Sequence, residues 1–212
     1  PANSPSTPPP SPPPSPPPSA GAGGSSPPPP TLFIQSQAFL SLSIGPPIEI
    51  GVESYVEANT RFLAEQNNWG GLLLEADSEQ VAAIRRDRIY WAANLKAIAA
   101  FVTRENINSL LAEHGLRGDI GLLSMDVDGN DYWVWEAVTA VNPRIVVCEY
   151  NSFLGSERPL VVPYAADFRR SRAHYSWLYY GASLPALVHL AGRKGYQLAG
   201  TNSAGNNAFF VR

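Results

Sequence analysis

Asp126, Asp128, Asn130 and Asp131 crowd together in the stretch GLLSMDVDGND, directly behind the apolar residues Leu122, Leu123 and Met125. Carboxylates so placed can do two kinds of chemistry. One of them, its pKa raised by its surroundings, can take a proton from a hydroxyl within ~3 Å. Two of them at i and i+2 can share a divalent cation, which prefers hard oxygen ligands. Asp126 and Asp128 are therefore the candidate base and the candidate cation pair. RIVVCEYN repeats the pattern, with Glu149 and Asn151 behind an apolar run and suited to orienting an acceptor. Two further strand-like runs also end in acids: Glu49-x-Gly51, with Glu53 beyond it, and LLLEAD, with Glu75 and Asp77. A glycine there allows close backbone approach, and an acid after the second strand stands where a ribose diol needs an acceptor. Taken singly, each acid is also an ordinary turn former or helix N-terminal charge.

The elements that must position these groups alternate. Short apolar runs bounded by turn residues read as strands at Ile48–Gly51, Leu72–Leu74, Leu95–Thr103, Ile120–Asp126 and Arg144–Glu149. Helices are expected from near Tyr55 to Asn67, where Tyr55 and Phe62, and Val56 and Leu63, stand seven apart. Others are expected from Ser78, as N-cap, to about Arg88, over Asn106–His114 with Gly115 as the stop, and through Val134, Val138 and Val141. Ser183 caps a further helix, Leu184–Ala191, with Pro185 in its first turn, and Gly195 closes it. Tyr196–Gly200 and Ala208–Arg212 then read as an antiparallel pair of strands. Repeated β-α order implies a parallel sheet with helices on both faces, and the acids at the strand ends then share one edge. Ser152–Tyr180 has little periodicity, and a loop that long in a compact domain is either functional or wrongly assigned.

Composition bounds the rest. Of 212 residues, the first 30 hold neither a charge nor a large apolar side chain. Such a Pro/Ser-rich tract, with SPPPSPPPS at its centre, cannot offset ordering entropy and is expected to be a disordered linker or stalk. Residues 31–212 then form one α/β domain, opened by Thr31–Ile44 as a strand or lead-in helix. The net charge is −3, which gives no footprint for nucleic acid. No apolar run reaches the ~18 residues of a membrane span. The Ser-Pro tract is like wall-glycoprotein stalks and points to a secretory or extracellular route, although such tracts also occur as cytoplasmic spacers. Any signal peptide would lie upstream of Pro1. The single cysteine, Cys148, sits in an apolar run and reads as core.

From about Ile48 to Arg212 the chain resembles a Rossmann-like, S-adenosylmethionine-dependent methyltransferase of the FkbM type or an uncharacterised relative. The residues that carry this are EIGVES, LLSMDVDGND, RIVVCEYN, YGASLPAL and NNAFFVR. The resemblance implies a doubly wound, mostly parallel seven-stranded sheet with an antiparallel last strand. It implies S-adenosylmethionine contacts at Glu49, Gly51 and Glu75, with Glu53, Asp77 and Asp126 beside them, and a base or acceptor role near Asp126 and Asp128. The acceptor would be a small molecule or glycan. One departure stands out: Gly51 is followed by Val52-Glu53-Ser54-Tyr55 where such enzymes carry further glycines.

Two other functions fit the same residues. Asp126-Val127-Asp128 is a literal DxD, which in metal-dependent glycosyltransferases binds a cation bridging nucleotide-sugar phosphates. A methyltransferase-like domain without catalysis, on a Pro-rich stalk, would be a binding module. The aromatics from Tyr164 to Tyr180 read first as core and second as a surface for sugar rings. An EF-hand is excluded, because Gly129 stands at the fourth position of a loop begun at Asp126 and not the sixth. His114, His174 and His189 are scattered and receive no role.

Overall fold

The computed structural model describes residues 45–212. The Pro-rich tract and the expected element over Thr31–Ile44 lie outside the described residues. In chain order the elements are β1 (Ile48–Ile50), α1 (Arg61–Asn67), β2 (Leu72–Glu75), α2 (Ser78–Arg86), α3 (Arg88–Ala92), β3 (Lys96–Ala99) and α4 (Ile107–Glu113). β4 (Gly118–Met125), α5 (Asp131–Ala137) and β5 (Val141–Glu149) follow, then a long connection holding α6 (Arg170–Ala173), then α7 (Leu184–Arg193), β6 (Gln197–Thr201) and β7 (Asn207–Val211). They form a seven-stranded sheet in the order β3-β2-β1-β4-β5-β7-β6. The first five strands pair in parallel, and β7 runs antiparallel to both β5 and β6. This is the Rossmann-like, doubly wound α/β sheet with an antiparallel last strand that the sequence implies.

Successive side chains of a strand face opposite ways. Ile48, Ile50, Leu72, Leu74, Leu123 and Met125 therefore enter one core, with Ile107 and Leu111 of α4, Trp135 of α5 and Leu187 of α7. Leu73 and Ala97 enter another, with Ala64 of α1, Val81 and Ile84 of α2 and Ile89 of α3. Among the described residues, no helix is long and apolar enough to cross a membrane.

Four local expectations are corrected. The first helix begins at Arg61, not near Tyr55, because Glu49 of β1 captures the donors just ahead of it. Asn59 N–H and Thr60 N–H donate to its carboxylate at 2.7 and 3.0 Å, and the Thr60 hydroxyl donates to it as well. Residues 51–60 are therefore a loop in which Tyr55 is buried and Val56 exposed. The cap of α2 is Asp77 rather than Ser78: its Oδ1 accepts from Glu79 N at 2.8 Å. Val141 opens β5 instead of continuing a helix. Asn108 of α4 stops α5 by donating to Ala137 O and accepting from the N–H groups of Thr139 and Ala140. The third strand is also shorter than expected, ending at Ala99.

Candidate functional site

Register sets the site. Ile50 lies opposite both Leu74 and Met125, and Met125 lies opposite Cys148. The residues one step on, Gly51, Glu75, Asp126 and Glu149, consequently stand level at the carboxyl edge, where ligands bind in open α/β sheets. Gly51 is required there. Its φ is +73°, and a Cβ would lie 1.6 Å from the Asp126 carbonyl oxygen. Asp126 N–H donates to Ile50 O and Gly51 N–H to Leu74 O, both at 2.9 Å, so this crossing holds three strand ends together.

The left half of the edge is a loop tied to Glu75. Its Oε2 accepts from Val52 N at 3.0 Å and Glu53 N at 2.8 Å, and its Oε1 accepts from Asp77 N at 2.9 Å. Glu53 and Tyr55 adopt left-handed conformations, with φ of +45° and +63°. The backbone path that glycines would follow is thus kept by side-chain-bearing residues, at a cost of about 1–2 kcal/mol each. Glu53 and Asp77 are exposed beside this loop, and Asp77 also caps α2. Glu49 stands one step inside the edge, buried, opposite Leu73 and Ser124. Burial raises its pKa against the opposing hydrogen bonds from Thr60 and Asn59. It reaches the edge only through the loop it holds.

The right half is an acidic group. One oxygen each from Asp126, Asp131 and Glu149 lie within 4.8 Å of one another. Asp131, to which the sequence reading gave no role, is 1% exposed and closes the β4–α5 turn. Its Oδ1 accepts from Val127 N at 2.8 Å and its Oδ2 from Gly129 N at 3.1 Å. Its signal in the sequence is its place as an acid opening a helix directly behind a strand. Gly129 has φ +134°, and a Cβ would press on the Phe168 ring at 2.4 Å. Asp128 diverges from this group. It has φ +55°, its side chain is 72% exposed, and it meets Arg170 at 3.7 Å. The pair expected to share a cation is therefore not the set whose oxygens converge.

Charge cannot accumulate freely in such a group. Burial, then the Asp128 charge, pushes Asp126 up to about 6, while a hydrogen bond with Glu149 pulls it down. Burial and the Asp126 charge push Asp131 up to about 7. Burial, then the charges of Asp131 and Asp126, push Glu149 up to about 10. Glu149 therefore holds a proton at neutral pH and can donate it to Asp126. Its Oε2 is buried without a hydrogen-bond partner. Cys148, next to it, is fully buried, and desolvation raises its thiol well above the usual range, as fits a core residue.

Asn151 serves the surrounding chain. Fully buried, its Nδ2 donates to Leu178 O at 2.8 Å and Tyr180 O at 3.0 Å, and its Oδ1 accepts from Phe153 N at 3.0 Å. It ties the end of β5 to the long connection, residues 152–183. Arg170 binds the same connection, donating to Trp177 O at 2.6 Å and lying 3.7 Å over the Tyr180 ring. Of the aromatics from Tyr164 to Tyr180, which read first as core, Tyr180 is buried and Tyr164 and Phe168 are half-buried, but Tyr175, Trp177 and Tyr179 are exposed.

No protein-family model matches the chain, and no curated protein matches it. Solved structures do. TnmH is 17% identical with a TM-score of 0.48, covering 79% of this chain and 50% of its own. Precorrin-6y C5,15-methyltransferase from Geobacter metallireducens GS-15 is 14% identical with a TM-score of 0.48, covering 82% of this chain and 84% of its own. The N-terminal domain of EvdMO1, solved with SAH bound, is 13% identical with a TM-score of 0.49, covering 80% and 73%. The chain spans half the length of TnmH. These likenesses concern the course of the chain and assign no residue a role.

Proposed function

We propose that the protein transfers a methyl group from S-adenosylmethionine to a hydroxyl oxygen of a small or glycan acceptor, with Asp126 as the base. The observation that carries this is one edge with two halves: a Gly51 turn organised by Glu75, and beside it the converging carboxyls of Asp126, Asp131 and Glu149. The donor set suits the cofactor. Glu53, Glu75, Asp77 and Asp126 give the edge an acidic character that complements an ammonium and a sulfonium, and Glu75 ends β2 with Asp77 just beyond it, where a ribose diol finds its acceptors. When bound, the cofactor supplies a methyl group activated by positive sulfur. The chain's own part is alignment and proton removal. Asp126, near 6, is ionised at neutral pH yet basic enough to accept a hydroxyl proton. Glu149, protonated, donates to Asp126 and fixes which oxygen is free. Asn151 holds the loop against which the acceptor would lie.

The test is binding first. S-adenosylmethionine or S-adenosylhomocysteine at millimolar concentration should raise the melting temperature, because a ligand of the native state stabilises it. No shift with either would end the proposal. Asp126→Asn should retain a reduced shift and lose transfer. A second reading has its own observation, the convergence of Asp126, Asp131 and Glu149 with a Glu149 oxygen left unpartnered. There a divalent cation would take the place of the protons, and Mg²⁺ alone would stabilise the protein at alkaline pH.

A further inference from the structure

The connection from β5 to α7 carries a surface that this reading leaves unused. Between Arg169 and Tyr179 every residue but Arg170 is exposed. Tyr175 is 91%, Trp177 57% and Tyr179 46% exposed, and Phe153, on the turn bound to Asn151, is 72% exposed. Large apolar side chains so concentrated at the rim of a polar centre mark a binding surface rather than chance exposure. This one is fixed and not slack. Asn151 grips the carbonyls of Leu178 and Tyr180, and Arg170 grips that of Trp177 and reaches Asp128. Trp177 is held with φ +60°, a conformation unfavourable for a bulky residue, and its N–H donates to His174 O at 3.0 Å. Strain kept at an exposed indole is accounted for by a use for its position.

We infer that the segment His174–Tyr179, with Phe153, is the acceptor platform, and that its ligand is a carbohydrate. This rests on the methyl-transfer reading of the adjoining edge. The two surfaces together define the chemistry. Exposed aromatic faces take a flat C–H surface, and Asp128, joined to the Trp177 carbonyl through Arg170, offers hydrogen-bond acceptors, which call for hydroxyl donors. A pyranose ring has both, a C–H face and a rim of hydroxyls. An anionic bilayer would meet the aromatics and arginines but be repelled by the adjoining carboxylates.

The experiment titrates tryptophan fluorescence of the whole chain, without cofactor, against cellohexaose, xylohexaose and galactohexaose, with 4-hydroxybenzoate and phosphatidylserine vesicles as the other arms. Saturable quenching by at least one oligosaccharide is expected. Trp177→Ala should weaken that binding by about tenfold, followed for this variant by calorimetry, and Tyr175→Ala should do the same by fluorescence. Both side chains are exposed, so both variants should keep the wild-type circular dichroism and melting temperature. Quenching by hydroxybenzoate alone, binding to vesicles alone, no binding at all, or unchanged sugar affinity in both variants overturns the inference. Loss of the cofactor's thermal shift with sugar binding intact would sink the methyl-transfer reading and leave a carbohydrate-binding surface.

Discussion

Replacing Glu149 with Gln isolates the proton held in the acidic group. The wild-type carboxyl is pushed up to about 10 in the fold, against an ordinary 4.5 in the unfolded chain. A raised acid contributes stability that is complete below the unfolded value and is lost as pH rises through the folded one. Between about pH 7.5 and 8.5, Asp126 at about 6 and Asp131 at about 7 are largely ionised, and within the acidic group Glu149 keeps the excess proton in the native state. One proton bound in the native and none in the unfolded chain gives a slope of about −1.36 kcal/mol per pH unit. Gln keeps the shape and can donate an N–H to Asp126 as the protonated acid does, but it does not titrate. Stability differences between wild type and Glu149→Gln should therefore grow by about 1.4 kcal/mol per pH unit in favour of the variant. Burial also raises Glu49 and Cys148, but both are common to the two proteins and cancel. Urea unfolding followed by tryptophan fluorescence at three pH values across this window reads the slope directly. Parallel lines for the two proteins would refute the assignment of the proton to Glu149.

Other outcomes follow from neighbouring contacts. Gly51→Ala, with its Cβ driven against the Asp126 carbonyl, should destabilise the fold by about 3 kcal/mol or more in urea unfolding, whereas Gly115→Ala, which meets nothing within 4 Å, should cost about 1–2 kcal/mol. Thr60→Val removes one of the three donors to buried Glu49 and should cost about 1–3 kcal/mol, with the melting temperature as the check. Asp128→Ala breaks an exposed pair with Arg170 and removes a charge that raises Asp126, and should change stability by less than about 1 kcal/mol. Mg²⁺ at about pH 8 should raise the melting temperature of wild type but not of Glu149→Gln if the cation reading holds.

The sheet was legible because LLLE, LLSM and IVVCE are short apolar runs that stop at acids, and parallel strands put their stops at one edge. The Ser183 cap and the Gly115 and Gly195 stops were legible for the same local reason. What escaped depends on contacts across sequence. Tyr55 and Phe62 have helical spacing, but Glu49 fixes the backbone at Asn59 and Thr60 from ten and eleven residues away. Asp131 gave the signal of an ordinary helix-opening acid, and only the β4–β5 register brings Glu149 beside it. Asp128 looked like the partner of Asp126 because spacing says nothing of a positive φ that turns it outward. Trp177 and its neighbours looked apolar enough for a core, yet the ties from Asn151 and Arg170 run through backbone carbonyls and leave the rings outside.

That arrangement of Asn151 has a consequence for how such a protein can change. The amide grips main chain and leaves the rings untouched, so the aromatic side chains can be exchanged without altering the frame that presents them. Mutational drift at positions 175, 177 and 179 would then retune what docks, while the carboxyls at the sheet edge stay as they are. Variation in this lineage should gather on the rim and spare the amide.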